Sequence, residues 1–172
     1  MLKPDGSGGT PCELFLQSLL GAWQTRGDDA KGKFPTIEPF SYGVSSTFFR
    51  VEEQTKAYFI HTDTTTWPKG MEGKKGMHYD AGYMKCATPT TIHWGLAHNF
   101  GGTESLVGEV QPNGISAVFH STSLGNMEEV TATERKLTVY KGQLQDEFSM
   151  ATKSVPKMTP HLRAFLFRED DA

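Results

Sequence analysis

No window of this sequence approaches the run of about 18 apolar residues that a membrane helix requires. The first eleven residues are polar and Gly-rich without an apolar h-region, so residues 1–11 are expected to form a flexible tail, neither signal peptide nor anchor. Cysteine is scarce: Cys12 and Cys86 cannot build the multi-bridge framework of small secreted domains and lack C-x-x-C metal spacing. Both are expected to be free packing thiols in a reducing, cytoplasmic compartment. Excess positive charge is also missing. Seventeen Lys and Arg against twenty Asp and Glu give a net charge of −3, so no basic field draws phosphate backbones or an anionic leaflet. Neither nucleic acid nor membrane is an expected partner. There is no internal repeat, Gly-x-Ser-x-Gly elbow, phosphate-binding glycine loop, His-Glu-x-x-His or dinucleotide fingerprint. The acidic residues read mostly as isolated charges in loops or at strand ends, and no carboxylate pair for acid–base work is identified.

What the chain does contain is β patterning. Its 172 residues suit a single domain, expected over residues 12–168, with 169–172 a frayed acidic tail. A short helix is expected from Glu13 to Leu20, stopped by Gly21. After it come short alternating runs rich in Thr, Phe, Tyr and Val, separated by Gly, Pro and Asn turns. Phe40, Tyr42, Val44 and Phe48 share one face, and the shift to Phe49 and Val51 suggests a bulge. Lys56 to Trp67 continues the alternation, with Ala57 and Phe59 opposing Tyr58 and Ile60, and Lys69 to Gly76 is an exposed loop. Met77–Cys86 and Thr91–His98 follow as strands. The Pro112-Asn113-Gly114 and Lys141-Gly142 turns then mark two hairpins, and Leu162, Ala164 and Leu166 alternate in a last strand. The expected fold is all-β: an antiparallel up-and-down barrel of roughly ten strands with one short N-terminal helix. Closure removes exposed strand edges and leaves room for a small ligand.

Six histidines, His61, His78, His93, His98, His120 and His161, fall in these strands or at their starts. No pair has the i, i+2 spacing that puts two imidazoles on one strand face, so no four-ligand zinc site is read. His161 has a distinct setting, with Pro160 stiffening its entry and Leu162 to Phe167 following. A neutral imidazole there can serve as the one protein ligand of a haem iron, or be an ordinary hydrogen-bonded histidine.

Five ordered blocks, Leu20-Gly21-Ala22-Trp23, Phe34-Pro35-Thr36-Ile37-Glu38-Pro39-Phe40-Ser41-Tyr42, Met77-His78 with Gly82-Tyr83, Glu129-Val130-Thr131 to Arg135, and Met158-Thr159-Pro160-His161-Leu162, resemble the nitrobindin family. The resemblance runs from about Leu19 to Phe167. It implies a fatty-acid-binding-protein-like (calycin) barrel holding one haem b at an open end. His161 would be the proximal iron ligand, Thr36 would lie at the haem, and Met77 and His78 would line the pocket. The implied activity is isomerisation of peroxynitrite to nitrate at ferric haem, with nitric oxide binding at ferrous haem. The chain departs from the family pattern at Thr25 (a glycine there), at an extended Asp28–Lys33 segment, at Glu128 (often lysine) and at His98, a second histidine near the pocket. The competing readings are a carrier of a fatty acid or other apolar ligand, for which Arg50 and Arg135 are the candidate interior cations, and a haem-based nitric oxide sensor.

Overall fold

In the computed structural model, which describes residues 8–51 and 58–169, the first regular element is α1 (Pro11–Leu19). It starts two residues before the expected Glu13 because Thr10 closes a capping box. The Thr10 hydroxyl accepts from the Glu13 N–H at 3.2 Å, and the Glu13 carboxylate accepts from the Thr10 N–H at 3.0 Å. Pro11 follows at the first helical position, where a missing N–H costs nothing. Cys12, Phe15, Leu16 and Leu19 are wholly buried on one face. At the far end the Trp23 indole donates to the Leu19 carbonyl at 2.7 Å, and the Arg168 guanidinium donates to the carbonyls of Ser18 and Leu20. The last strand thereby satisfies carbonyls that the helix terminus leaves open.

Ten antiparallel strands follow: β1 (Gly21–Phe34), β2 (Ile37–Arg50), β3 (Phe59–Pro68), β4 (His78–Cys86), β5 (Thr91–His98), β6 (Thr103–Val110), β7 (Ser116–Gly125), β8 (Val130–Tyr140), β9 (Gln143–Thr152) and β10 (Thr159–Arg168). Each pairs with its sequence neighbour, and β10 pairs with β1 to close the barrel. The all-β barrel expected from the alternation is therefore the fold. Strictly up-and-down order puts the β1–β2, β3–β4, β5–β6, β7–β8 and β9–β10 connections at one end. Helix α1 packs at the other, where Cys12 N–H donates to the Pro89 carbonyl at 2.8 Å. Among the described residues, no helix is long and apolar enough to cross a membrane.

Three expectations need correction. The cysteines are not free: Cys12 and Cys86 form a disulfide, with Cα atoms 5.9 Å apart across 74 residues of sequence. Helix α1 lies against the end where β4 stops, so two distant cysteines meet. A count that excludes a multi-bridge framework does not exclude a single bridge, and the thiol-based argument for a reducing compartment falls with it. Second, no bulge separates Phe48 from Phe49 in the pairing with β3, whose register is continuous from Tyr42–Pro68 to Arg50–Ile60. Phe49 instead stands on the outer face against His61, ring centroids 4.6 Å apart. The alternation assigned to Lys56 and Ala57 lies outside the described residues.

Third, β1, which contains the extended Asp28–Lys33 segment, is a strand that no alternating run announced. From Gln24 to Ala30 this strand advances six residues while β2 advances three, from Ser45 to Tyr42. Gly27, at φ +58°, takes the left-handed conformation in this irregularity. The Thr25 hydroxyl spans the gap, accepting from the Val44 N–H at 3.0 Å. Inward parity then switches from Trp23 to Ala30, Gly32 and Phe34, which hides the strand from a period-2 reading.

Candidate functional site

The open end is built around a break in β10. Pairing with β9 shifts between Pro160 and Leu162, so His161 is an extra residue. Simple alternation would place it outward with Arg163. The bulge turns it toward three aromatic rings instead: Phe34, Phe40 and Phe148, with centroids 5.5, 6.2 and 6.1 Å from the imidazole. His161 Nδ1 lies 2.9 Å from the Lys33 carbonyl oxygen. A carbonyl only accepts, so Nδ1 carries the proton and Nε2 of the neutral ring keeps its lone pair.

Beside the imidazole, Gly32 leaves space that Phe40 fills. A Cβ at Gly32 would sit 2.2 Å from the Phe40 ring. The cleft framed by β1, β2, β9 and β10 has a volume of about 900 Å³, at the upper end of the roughly 300–1,000 Å³ usual for small-molecule and cofactor sites. Lys33 and Arg163 stand among its lining residues with Phe40, Phe148 and His161. Asp28, also in the lining, is paired with Lys31 and with Lys69 at 2.9 Å, and these contacts hold its carboxyl well below the usual carboxylate range.

The other expected site residues share this end of the barrel without lining that cleft. Thr36 is exposed in the two-residue turn Pro35–Thr36, between the paired Phe34 and Ile37. Met77 is exposed just before β4, its N–H donating to the Thr66 carbonyl at 2.8 Å. His78 opens β4, and its Nε2 lies 2.9 Å from His98 Nδ1. His98 Nε2 in turn lies 3.1 Å from Glu104 Oε1. His98 is thus bound into a His78–His98–Glu104 relay. Glu128 is exposed in the β7–β8 connection at the same end.

Below the mouth the barrel interior is charged, which overturns the reading of the acidic residues as isolated at loops and strand ends. Asp80 and Glu104 are buried at 2% and 4% exposure, and Asp146 and Arg135 project inward from β9 and β8. Arg135 Nε lies 3.6 Å from Asp146 Oδ1, and its guanidinium carbon lies 5.3 Å from the Trp94 ring centroid and 5.2 Å from that of Phe148. Burial works against the Arg135 charge, but Asp146, Asp80 and Glu104 outweigh it and raise its pKa. Burial likewise pushes the Asp146 carboxyl up, with Arg135 opposing. For Glu104 burial is overcome by hydrogen bonds from His98 and Thr133 and by the Arg135 charge, which keep its pKa below the ordinary value. Arg50, the other candidate cation, is exposed and stacks over Tyr58 at 3.6 Å. A signal for the interior charges was present: Arg135 shares parity with buried Leu137, Asp146 with Leu144, Glu104 with Leu106, and Asp80 with Met84.

Comparison with known proteins agrees with this architecture. The family model of the THAP4-like, heme-binding beta-barrel domain matches residues 14–168. Peroxynitrite isomerase 1 of Mycolicibacterium paratuberculosis is 33% identical over 159 residues, covering 90% of this chain and 92% of that protein. Peroxynitrite isomerase 1 of Mycobacterium tuberculosis is 30% identical over 167 residues, covering 92% and 96%. The crystal structure of Rv2717c from M. tuberculosis superposes with a TM-score of 0.77 at 27% identity, covering 94% of this chain and 99% of that one.

Proposed function

The chain belongs to the family of THAP4-like, heme-binding β-barrel domains, and from that premise we propose that it holds one haem b per chain at the open end and isomerises peroxynitrite to nitrate. The observation that carries the reading is the His161 imidazole, whose Nδ1 is fixed by the Lys33 carbonyl and whose Nε2 lone pair is free for an iron. The donor set fits the group. Three aromatic rings surround the imidazole, the cleft has cofactor size, and Lys33 and Arg163 offer positive charge to propionates. Thr36, Met77 and His78 are assigned as further haem contacts because they stand at the same open end.

When bound, ferric haem supplies a Lewis-acidic, one-electron centre at which peroxynitrite rearranges to nitrate, and ferrous haem supplies a site for nitric oxide. The protein's part is binding and orientation. The Lys33 carbonyl holds the His161 ring in one tautomer and increases its basicity toward a metal. Phe34, Phe40 and Phe148 pack around that ring. Lys33 brings a positive charge to the entrance, where Arg163 is paired with Glu147 at 4.0 Å. His98 stays directed at His78 and Glu104.

A fatty-acid carrier is disfavoured by the interior charge. Arg135 is already matched by Asp146 and sits in the field of Asp80 and Glu104, so a ligand carboxylate that reached the barrel interior would meet no unmatched cation there among the described residues. Titration of the protein with hemin, followed at the Soret band, tests the proposal: wild type should take up one haem, and His161→Ala should lose the histidine-ligated spectrum. An unchanged spectrum in the variant refutes the assignment of His161. Stopped-flow decay of peroxynitrite with nitrate analysis then separates an isomerase from a sensor, because a sensor does not accelerate nitrate formation.

A further inference from the structure

On the inner wall of the barrel, His78, Asp80 and His98 bring one potential ligand atom each to within 4.8 Å of one another. The cluster arises across strands. Asp80 is register-paired with His98, and His78 lies two residues earlier on the same face of β4. No sequence spacing advertises it, since the two histidines are twenty residues apart. We propose that in the haem-free chain these three side chains bind a divalent first-row transition metal such as zinc, at a site that shares His78 with the proposed haem contacts but does not use the His161 imidazole.

The donor chemistry suits such an ion. Two imidazoles and a carboxylate form an N₂O set of the kind used by zinc and by non-haem iron, with coordination positions left open. His78 Nε2 lies 2.9 Å from His98 Nδ1 and 3.5 Å from Asp80 Oδ2. Ligand bonds of about 2.0–2.2 Å put neighbouring donors roughly 2.9–3.4 Å apart in octahedral to tetrahedral geometry, so little movement separates the observed arrangement from a chelating one.

The hydrogen-bond geometry points the same way. Glu104 Oε1 lies 3.1 Å from His98 Nε2, where a carboxylate accepts an N–H, and a His98 ring with its proton on Nε2 turns the Nδ1 lone pair toward His78. This is the carboxylate–histidine pairing that orients metal ligands elsewhere. A metal would replace the proton that His78 Nε2 now donates to His98. Neutral His78 keeps one proton by carrying it on Nδ1 instead, so the exchange needs no further acid or base. Phe100 stacks on His98 with ring centroids 5.2 Å apart and planes 8° from parallel, which fixes the imidazole plane.

A plain hydrogen-bonded relay accounts for His78, His98 and Glu104, but it leaves Asp80 incompletely satisfied. That residue is 2% exposed, and although it lies in the field of Arg135, its Oδ1 is buried without a hydrogen-bond partner, an unmet acceptor that a directly bound cation would satisfy.

The test is calorimetric titration of chelator-treated, haem-free full chain with Zn²⁺, repeated with Co²⁺ and read by visible absorption. Wild type should bind one ion in the micromolar range or tighter and give a Co²⁺ ligand-field band. His98→Gln and Asp80→Asn should each weaken binding at least about tenfold, the smallest effect expected even of an outer-shell change, while His161→Ala should bind as wild type does. Should either variant fail to fold by circular dichroism, His78→Gln, at the half-exposed edge of the cluster, replaces it with the same expectation. Equal Zn²⁺ affinity in wild type and His98→Gln overturns the proposal. So does binding that is lost in His161→Ala and kept in His98→Gln. Hemin uptake by the same variants is a separate readout, so failure of the haem reading does not mimic failure of this one.

Discussion

Opening the Cys12–Cys86 bridge should cost this protein a large part of its stability. The bridge spans 74 residues, and the chain-entropy relation for a loop of that length gives about 4.5 kcal/mol at 25 °C from constraint of the unfolded chain. Unfolding entropy of about 2.1 cal/mol/K per residue amounts to roughly 0.36 kcal/mol/K for 172 residues, so the melting temperature should fall by about 12 °C on reduction. The native state adds a local effect, because the bridge ties the N-terminal turn of α1 to the end of β4. With the bridge open, the helix is held by its apolar face, the Cys12–Pro89 backbone bond and the Arg168 contacts. Amide exchange in α1 should therefore rise more than in β5 or β9. The assay is thermal unfolding of haem-free protein with and without a phosphine reductant, with Cys12→Ala/Cys86→Ala as the permanently open form, since bound haem would add its own stabilisation. Thiol titration of the denatured, non-reduced protein should find no free thiol. Two titratable thiols in protein purified under air, or coincident melting curves for oxidised and reduced protein, would refute the reasoning.

Gly32→Ala should displace the Phe40 ring, destabilise the barrel by about 1–3 kcal/mol as overpacking does, and weaken hemin uptake in a spectral titration, because Phe40 packs beside His161. Arg135→Met should cost about 3–5 kcal/mol in urea unfolding, since it leaves Asp146, Asp80 and Glu104 without their shared cation. Trp94→Phe should cost about 1–3 kcal/mol by the same measurement, because the indole donates to the Thr62 hydroxyl at 3.1 Å inside the core. Tyr42 is pushed well above the usual phenol range by burial, with Asp146 adding and Arg135 opposing. The raised folded value means that its contribution is intact below the unfolded pKa of about 10 and lost as pH rises beyond it. Tyr42→Phe should accordingly flatten the alkaline limb of the stability profile, and an identical limb in both proteins would contradict the assignment.

The barrel could be read from sequence because most strands have one apolar and one polar face, and period-2 alternation records that directly. Phe40, Tyr42 and Val44 in β2, Ile92, Trp94 and Leu96 in β5, and Ala164 and Leu166 in β10 all face inward as their spacing requires. Alternation fails where a residue is inserted. The irregularity after Gln24 conceals β1, and the bulge before Leu162 reverses the side on which His161 stands. His161 was singled out by its neighbours and by family resemblance; its inward direction and the Lys33 carbonyl that sets its tautomer come from backbone geometry that no spacing encodes. The interior charges were hidden for a different reason. Asp80, Glu104, Arg135 and Asp146 each sit at an inward position of its own strand, so parity alone marks them as buried. Taken one strand at a time, a lone buried charge looks improbable enough to be reassigned to a loop. Only closure of the barrel, which brings β4, β6, β8 and β9 around one interior, lets three carboxylates share one guanidinium and makes each burial tolerable. The same closure places His78 and Asp80 of β4 beside His98 of β5, a constellation that inward parity and strand register predict together and neither predicts alone.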